Sequence, residues 1–183
     1  MRIVAGTYGG RQLQVPKGRD IRPTSDKVRG AIFNALEARG AVDGARVLDA
    51  FCGTGALGLE ALSRGADACT FWDKDKGSLA LARANAESLG VVGQCGFQMG
   101  DAVKLSGGEH AGEYDLVFLD PPYRKGLIEI VLQRLVESEC LRDGAVCALE
   151  MEKGYDPKLD GSFSVQSDKI YGDSRVFIVS YEG

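Results

Sequence analysis

The sequence predicts an α/β fold: a mostly parallel, seven-stranded, Rossmann-like sheet with an antiparallel edge strand, preceded by a small N-terminal hairpin and helix. Three observations carry this reading. From Arg46 onward, short apolar runs alternate with amphipathic stretches, the order that builds a parallel sheet flanked by helices. Gly53, Gly55 and Gly58 follow the first such run and open an amphipathic stretch, where a ligand-cradling turn belongs. Two strand-like runs close the chain with no long helix between them, so one of them is expected to run antiparallel at the edge.

Residues 2–5 and 12–15 read as short strands turned by Gly9-Gly10. Pro23 holds Arg22 extended, and Thr24 or Ser25 can cap the helix that follows. Its apolar face is predicted at Val28, Ile32, Ala35 and Leu36, with Lys27 and Arg29 off that face and Gly40 ending it. Strands are predicted at 46–50, 68–72, 94–99, 115–119 and 144–150, and helices at 56–64, 76–89 and 126–138. After a loop around Pro157, strands at 163–169 and 175–181 complete the sheet. The expected division is an extension at 1–40 and a sheet domain at 41–183, with no internal repeat.

With 183 residues, 44% hydrophobic and 26% charged, the chain suits one soluble globular domain. No apolar run approaches the ~20 residues that span a membrane, and the start is too weakly apolar for a signal peptide. Five scattered cysteines without a paired C-x-x-C spacing, and His110 as the one imidazole, predict no metal site and a reducing cytoplasm. The net charge of −4 hides an asymmetry: residues 1–30 carry +5 and the remainder −9. Basic charge gathered at one end is the footprint of a phosphate-contacting arm, for which Arg2, Arg11, Arg22, Lys27 and Arg29 are the candidates.

Acidic residues end successive predicted strands: Asp49, Asp73, Asp101 and Asp120. Ligands of doubly wound sheets bind beyond those strand ends. Asp73, twenty residues past Gly53, is placed to bond ribose hydroxyls, and Asp101, followed by Ala102, an adenine amino group. A turn-forming role for Asp101 after Gly100 is the competing reading. An anionic Asp49 beneath the glycine turn would repel a pyrophosphate and attract an ammonium. S-adenosyl-L-methionine has that ammonium, a ribose and no phosphate. Phe51, Gly53, Gly55 and Lys74 belong to the same expected cofactor site. The corner Asp120-Pro121-Pro122-Tyr123 offers a carboxylate, a carbonyl without a competing N–H, and a ring for stacking. It suits a planar base carrying an exocyclic amino group.

Taken with Arg2 through Gly6, Arg22-Pro23-Thr24, Asp26, Val28-Arg29, Phe33-Asn34 and Tyr171-Gly172-Asp173, these motifs resemble the RsmD family of bacterial 16S rRNA guanine-N2 methyltransferases, essentially end to end. The resemblance implies a class I S-adenosylmethionine-dependent methyltransferase acting on 16S rRNA within an assembled or assembling small ribosomal subunit; the expected oligomeric state is a monomer. It makes Asp120, Pro121, Pro122 and Tyr123 the expected catalytic corner. Arg22 and Thr24 stay open between RNA contact and closure over the cofactor. The corner alone does not separate guanine N2 from adenine N6, so an adenine-N6 methyltransferase of DNA or RNA is the alternative.

Overall fold

The structure is a computed structural model and describes residues 1–18, 24–105, 113–123 and 126–183. Arg22 and His110 lie outside the described residues. The elements are α1 (Asp26–Glu37), β1 (Arg46–Ala50), α2 (Ala56–Ser63), β2 (Ala68–Asp73), α3 (Lys76–Leu89), β3 (Cys95–Met99), β4 (Tyr114–Leu119), α4 (Leu127–Glu137), β5 (Leu141–Glu152), β6 (Phe163–Tyr171) and β7 (Ser174–Tyr181). They form a seven-stranded sheet in the order β3-β2-β1-β4-β5-β7-β6. The first five strands in that order are parallel. β7 runs antiparallel to both neighbours, so the reversed strand lies one place in from the edge and β6 takes the edge itself. The tight turn at Gly172 (φ 61°) explains this: a hairpin must pair β6 with β7, and β7, buried from Val176 to Val179, is the apolar member.

The central strands are apolar on both faces, as a sheet covered on two sides requires. One face packs Phe33, Leu36, Leu59, Phe71 and Phe118 against α1, α2 and α3. The other packs Leu48, Val117, Leu119, Val131 and Leu135 against α4. Chain order reverses between β1 and β4, which opens the sheet at their carboxyl ends.

The predicted N-terminal hairpin is present in short form: an antiparallel bridge joins Arg2 to Gln12, and Ile3 N–H donates to the Arg11 carbonyl (2.9 Å), Gly10 N–H to the Ile3 carbonyl (2.8 Å) and Leu13 N–H to the Met1 carbonyl (3.0 Å). Other amides of the extension bond to the sheet domain. The amides of Val4 and Ala5 donate to the Glu60 carboxylate (2.8 and 3.1 Å), Tyr8 N–H to Ser63 Oγ (3.0 Å), and Gln14 N–H to Asn85 Oδ1 (2.7 Å). Ile3 and Leu13 are buried in the main core. The extension therefore pairs with itself across the hairpin and is stitched onto α2 and α3 as well.

Candidate active site

The parallel register sets four acidic residues in one row. Asp49 precedes Ala50, which pairs with both Trp72 and Leu119, and Asp73 pairs with Met99. Asp101 and Asp120 each stand just past the ends of β3 and β4. Asp49 and Asp120 thus share the carboxyl edge, on either side of the switch point.

The glycine turn is shaped by what backbone can do there. Phe51 (φ 62°), Gly53 (φ 53°) and Gly55 (φ 80°) occupy the left-handed region, which a β-carbon disfavours. At Gly58, a β-carbon would come within 2.5 Å of Cys69 Sγ and Phe71 Cε1, so glycine there lets α2 lie on the sheet. At Gly53 it would meet nothing within 4 Å, and the turn stays open to an incoming molecule. Asp73 ties the turn down: its Oδ2 accepts Gly53 N–H (3.1 Å) and its Oδ1 accepts Asp75 N–H (2.9 Å). Phe51, Trp72, Asp73, Lys74, Gly100, Asp101 and Ala102 line one depression beside it. Asp101 also accepts Val103 N–H (3.2 Å) and caps a short 3-10 turn, so the competing reading of this residue holds alongside its place at the rim.

Asp49 departs from expectation. It is 1% exposed and sealed under the turn, where its Oδ2 accepts Gly58 N–H (2.9 Å). Burial, with the nearby Asp73 charge adding to it, pushes its carboxyl up to about 8 despite that bond. A rim anion was expected; the structure has a buried acid that anchors the loop. Between about pH 4 and pH 8 the unfolded chain has released this proton and the fold still holds it. The contribution to stability is therefore fully present at low pH and is lost as pH rises, by ~1.4 kcal/mol per unit at most. Asp49→Asn keeps an acceptor for Gly58 and is expected to gain in Tm over the parent as pH rises from about 5 to about 8. A difference in Tm that stays constant with pH would show that Asp49 is ionised in the fold.

At the end of β4, Pro121 is buried while Pro122 and Tyr123 are exposed, the Tyr123 ring presented to solvent at 47%. Half-buried Asp120 meets a partner that the sequence reading did not single out as a site residue: Glu150, near the end of β5. Thr24 joins them, with Oγ1 2.7 Å from Glu150 Oε2 and 3.3 Å from Asp120 Oδ2. A hydroxyl has one proton to give. The shorter contact takes it, and the longer one is satisfied when Asp120 itself is protonated. Burial, then the Glu150 charge, push Asp120 in that direction, well above the usual carboxylate range, against the Thr24 bond. Ser25, not Thr24, caps α1 (Val28 N–H to Oγ, 3.2 Å), which leaves the Thr24 hydroxyl for the corner. A cavity of about 160 Å³ lies here, lined by Pro121, Pro122, Tyr123, Ile128, Glu150, Met151, Glu152 and Tyr155. Glu150 also lines a second cavity of about 530 Å³, together with Thr24, Lys27, Val28, Tyr171 and Gly172 among others. Tyr171 and Gly172, from the resemblance, thus come next to the corner.

Of the arm's basic residues, Arg2, Arg11 and Lys27 are exposed. Arg11 also donates to the Ser88 carbonyl (2.6 Å), and Arg2 pairs with Asp26 (3.6 Å). Arg29 is a correction. Its side chain is fully buried, bonded to Asp26 (2.8 Å), Glu60 (3.4 Å), the Thr24 carbonyl (3.3 Å) and the Arg2 carbonyl, so it is closed to a phosphate. It lies with Ile32, Phe33 and Leu36 on the inner face of α1.

A doubly wound sheet with a glycine turn after its first strand, acidic strand ends and a Pro-Pro corner after its fourth defines a Rossmann-like class I methyltransferase. The family described as "Conserved hypothetical protein 95" matches residues 1–180. The Escherichia coli K12 "Ribosomal RNA small subunit methyltransferase D" is 35% identical over 175 residues, 94% of this chain and 85% of that protein. Its Haemophilus influenzae counterpart of the same name is 32% identical over 187 residues, 99% of this chain and 91% of that protein. The solved structure of the Escherichia coli protein yhhF superposes with a TM-score of 0.88 at 33% identity, over 100% of this chain and 98% of that one. The chain belongs to this family, the RsmD family, as its motifs predicted.

Proposed function

We propose that this chain transfers a methyl group from S-adenosyl-L-methionine to the exocyclic N2 of a guanine in 16S rRNA, as a cytoplasmic monomer acting on an assembled or assembling small subunit. The observation that carries the reading is the Asp120-Pro121 corner standing one strand away from an open glycine turn. The names of the relatives support a small-subunit rRNA substrate.

The residues fit the cofactor. The space at Gly53, the depression between Phe51 and Ala102, and the acceptors of Asp73 and Asp101 suit a nucleoside without phosphate. Bound there, S-adenosyl-L-methionine supplies an electrophilic methyl carried on a sulfonium. The protein's part is to make a poor nucleophile attack. Guanine N2 is delocalised into its ring, and N–H bonds to Asp120 and the Pro121 carbonyl favour a pyramidal nitrogen and stabilise its growing positive charge. Tyr123 holds the base once it is out of the stack. The raised proton affinity of Asp120 makes it a better acceptor for the departing proton than an ordinary carboxylate. Thr24, touching Asp120, fixes that carboxyl in place.

The test is methylation of unmodified small subunits with labelled cofactor, and mass-spectrometric identification of the product nucleoside. N2-methylguanosine is expected; N6-methyladenosine, or no product, overturns the reading. Arg11→Ala and Lys27→Ala should weaken subunit binding and each lower the slope of log affinity against log salt by up to about one. A slope equal to the parent's would return these side chains to solvent.

A further inference from the structure

We propose that Glu150 selects guanine over adenine, by accepting the N1–H of the target base while Asp120 and the Pro121 carbonyl receive its amino group. This rests on the guanine reading above and deepens it.

The sheet puts the two carboxyls at one level. Leu119 pairs with Leu149 in parallel register, so Asp120 and Glu150 are the next residues on adjacent strands. Glu150 is 7% exposed, a costly place for a carboxyl without donors. Its Oε2 receives the Thr24 hydroxyl, and its Oε1 has no hydrogen-bond donor among the described residues. No cation among the described residues pairs with it. It nevertheless lines the cavity beside Pro121, Pro122 and Tyr123, whose roughly 160 Å³ is on the scale of one base. A buried acceptor facing a base-sized cavity calls for a donor from the ligand.

Guanine supplies that donor. Its N1–H stands beside its 2-amino group, so one edge offers only donors to two acid side chains that one hydroxyl already holds together. Adenine sets an N1 lone pair beside its amino group. That lone pair would face the Glu150 oxygen, leaving both acceptors unpaired in a buried site, the arrangement that rejects an analogue most strongly. Asp120 and the prolines need only an amino group, which both bases carry. Discrimination thus falls to Glu150.

The decisive substrate is 2-aminopurine, which keeps the 2-amino group but has a bare acceptor at N1. Small subunits are reconstituted with 16S rRNA carrying guanine or 2-aminopurine at the position mapped by mass spectrometry. The parent should favour guanine by ~100-fold or more in kcat/KM. Glu150→Gln, whose amide can donate to N1 as well as accept from it, should narrow that ratio at least ~10-fold. Loss of the 6-oxo group in 2-aminopurine affects parent and variant alike, so the change in ratio isolates Glu150. Equal use of both bases by the parent overturns the proposal even if the variant fails to fold, and so does a folded Glu150→Gln with the parent's ratio. Absence of methylation on guanine with the parent would instead sink the underlying function.

Discussion

Asp120→Ala is expected to lower methyl transfer by at least ~10³-fold while leaving the affinity for S-adenosyl-L-methionine within a few-fold of the parent. Two effects are removed together: stabilisation of charge developing on the amino nitrogen, and a positioned proton acceptor, each worth ~10²-fold or more. Single-turnover transfer to small subunits reads the first quantity and calorimetric titration the second. Loss of cofactor binding in place of turnover would move Asp120 into the cofactor site. The same variant should melt no lower than the parent, because it deletes a crowded carboxyl that feels the charges of both Glu150 and Asp49. The acid limb of kcat/KM should also follow from this crowding. Asp120 must be ionised to receive a proton, so activity rises with pH through a range above that of an ordinary carboxylate. Glu150→Gln removes the adjacent charge and should shift that limb to lower pH.

The parallel part of the fold was legible because each strand is a short apolar run closed by an acid or a glycine, and each helix carries its own 3.6-residue pattern. Asp49, Asp73, Asp101 and Asp120 were legible for the same reason: an acid ending a buried strand contradicts its surroundings. Glu150 obeys that rule too, after Cys147, Ala148 and Leu149. What its own stretch does not carry is its place beside Asp120: β5 runs on through Met151 and Glu152, and its register against β4 is a long-range fact. The N-terminal hairpin was legible in its turn and cross-arm bonds but not in its docking. Its local turn signal is real and the arms pair, while amides that the pairing leaves over go to the carboxylate of Glu60 and the side chains of Ser63 and Asn85. Which groups a backbone will bond to, some fifty to seventy residues away, is not written in its own composition.

Arg29 teaches the same lesson with a larger stability consequence. Residues 29, 32, 33 and 36 share one helical face, yet a positive charge among them reads as solvent-facing until its counter-ion is known. Glu60, fully buried on α2, is that counter-ion. Its Oε2 takes Val4 N–H and the Arg29 Nε, and its Oε1 takes Ala5 N–H and the Arg64 Nε (2.9 Å). One carboxylate therefore joins the extension, α1 and α2, while Arg29 also holds the carbonyl of Thr24, whose hydroxyl touches Asp120. Truncating one member of such a network leaves the other charge buried, which costs ~3–5 kcal/mol. For a chain of this length that is a fall in Tm of roughly 6–20 °C. Arg29→Ala and Glu60→Ala should each show it in thermal melts, and the double variant should lose less than the two losses added together. In subunit-binding assays below its lowered melting point, Arg29→Ala should keep the parent's salt dependence, because no phosphate reaches this side chain. A reduced salt slope with an unchanged Tm would return Arg29 to the RNA-binding surface.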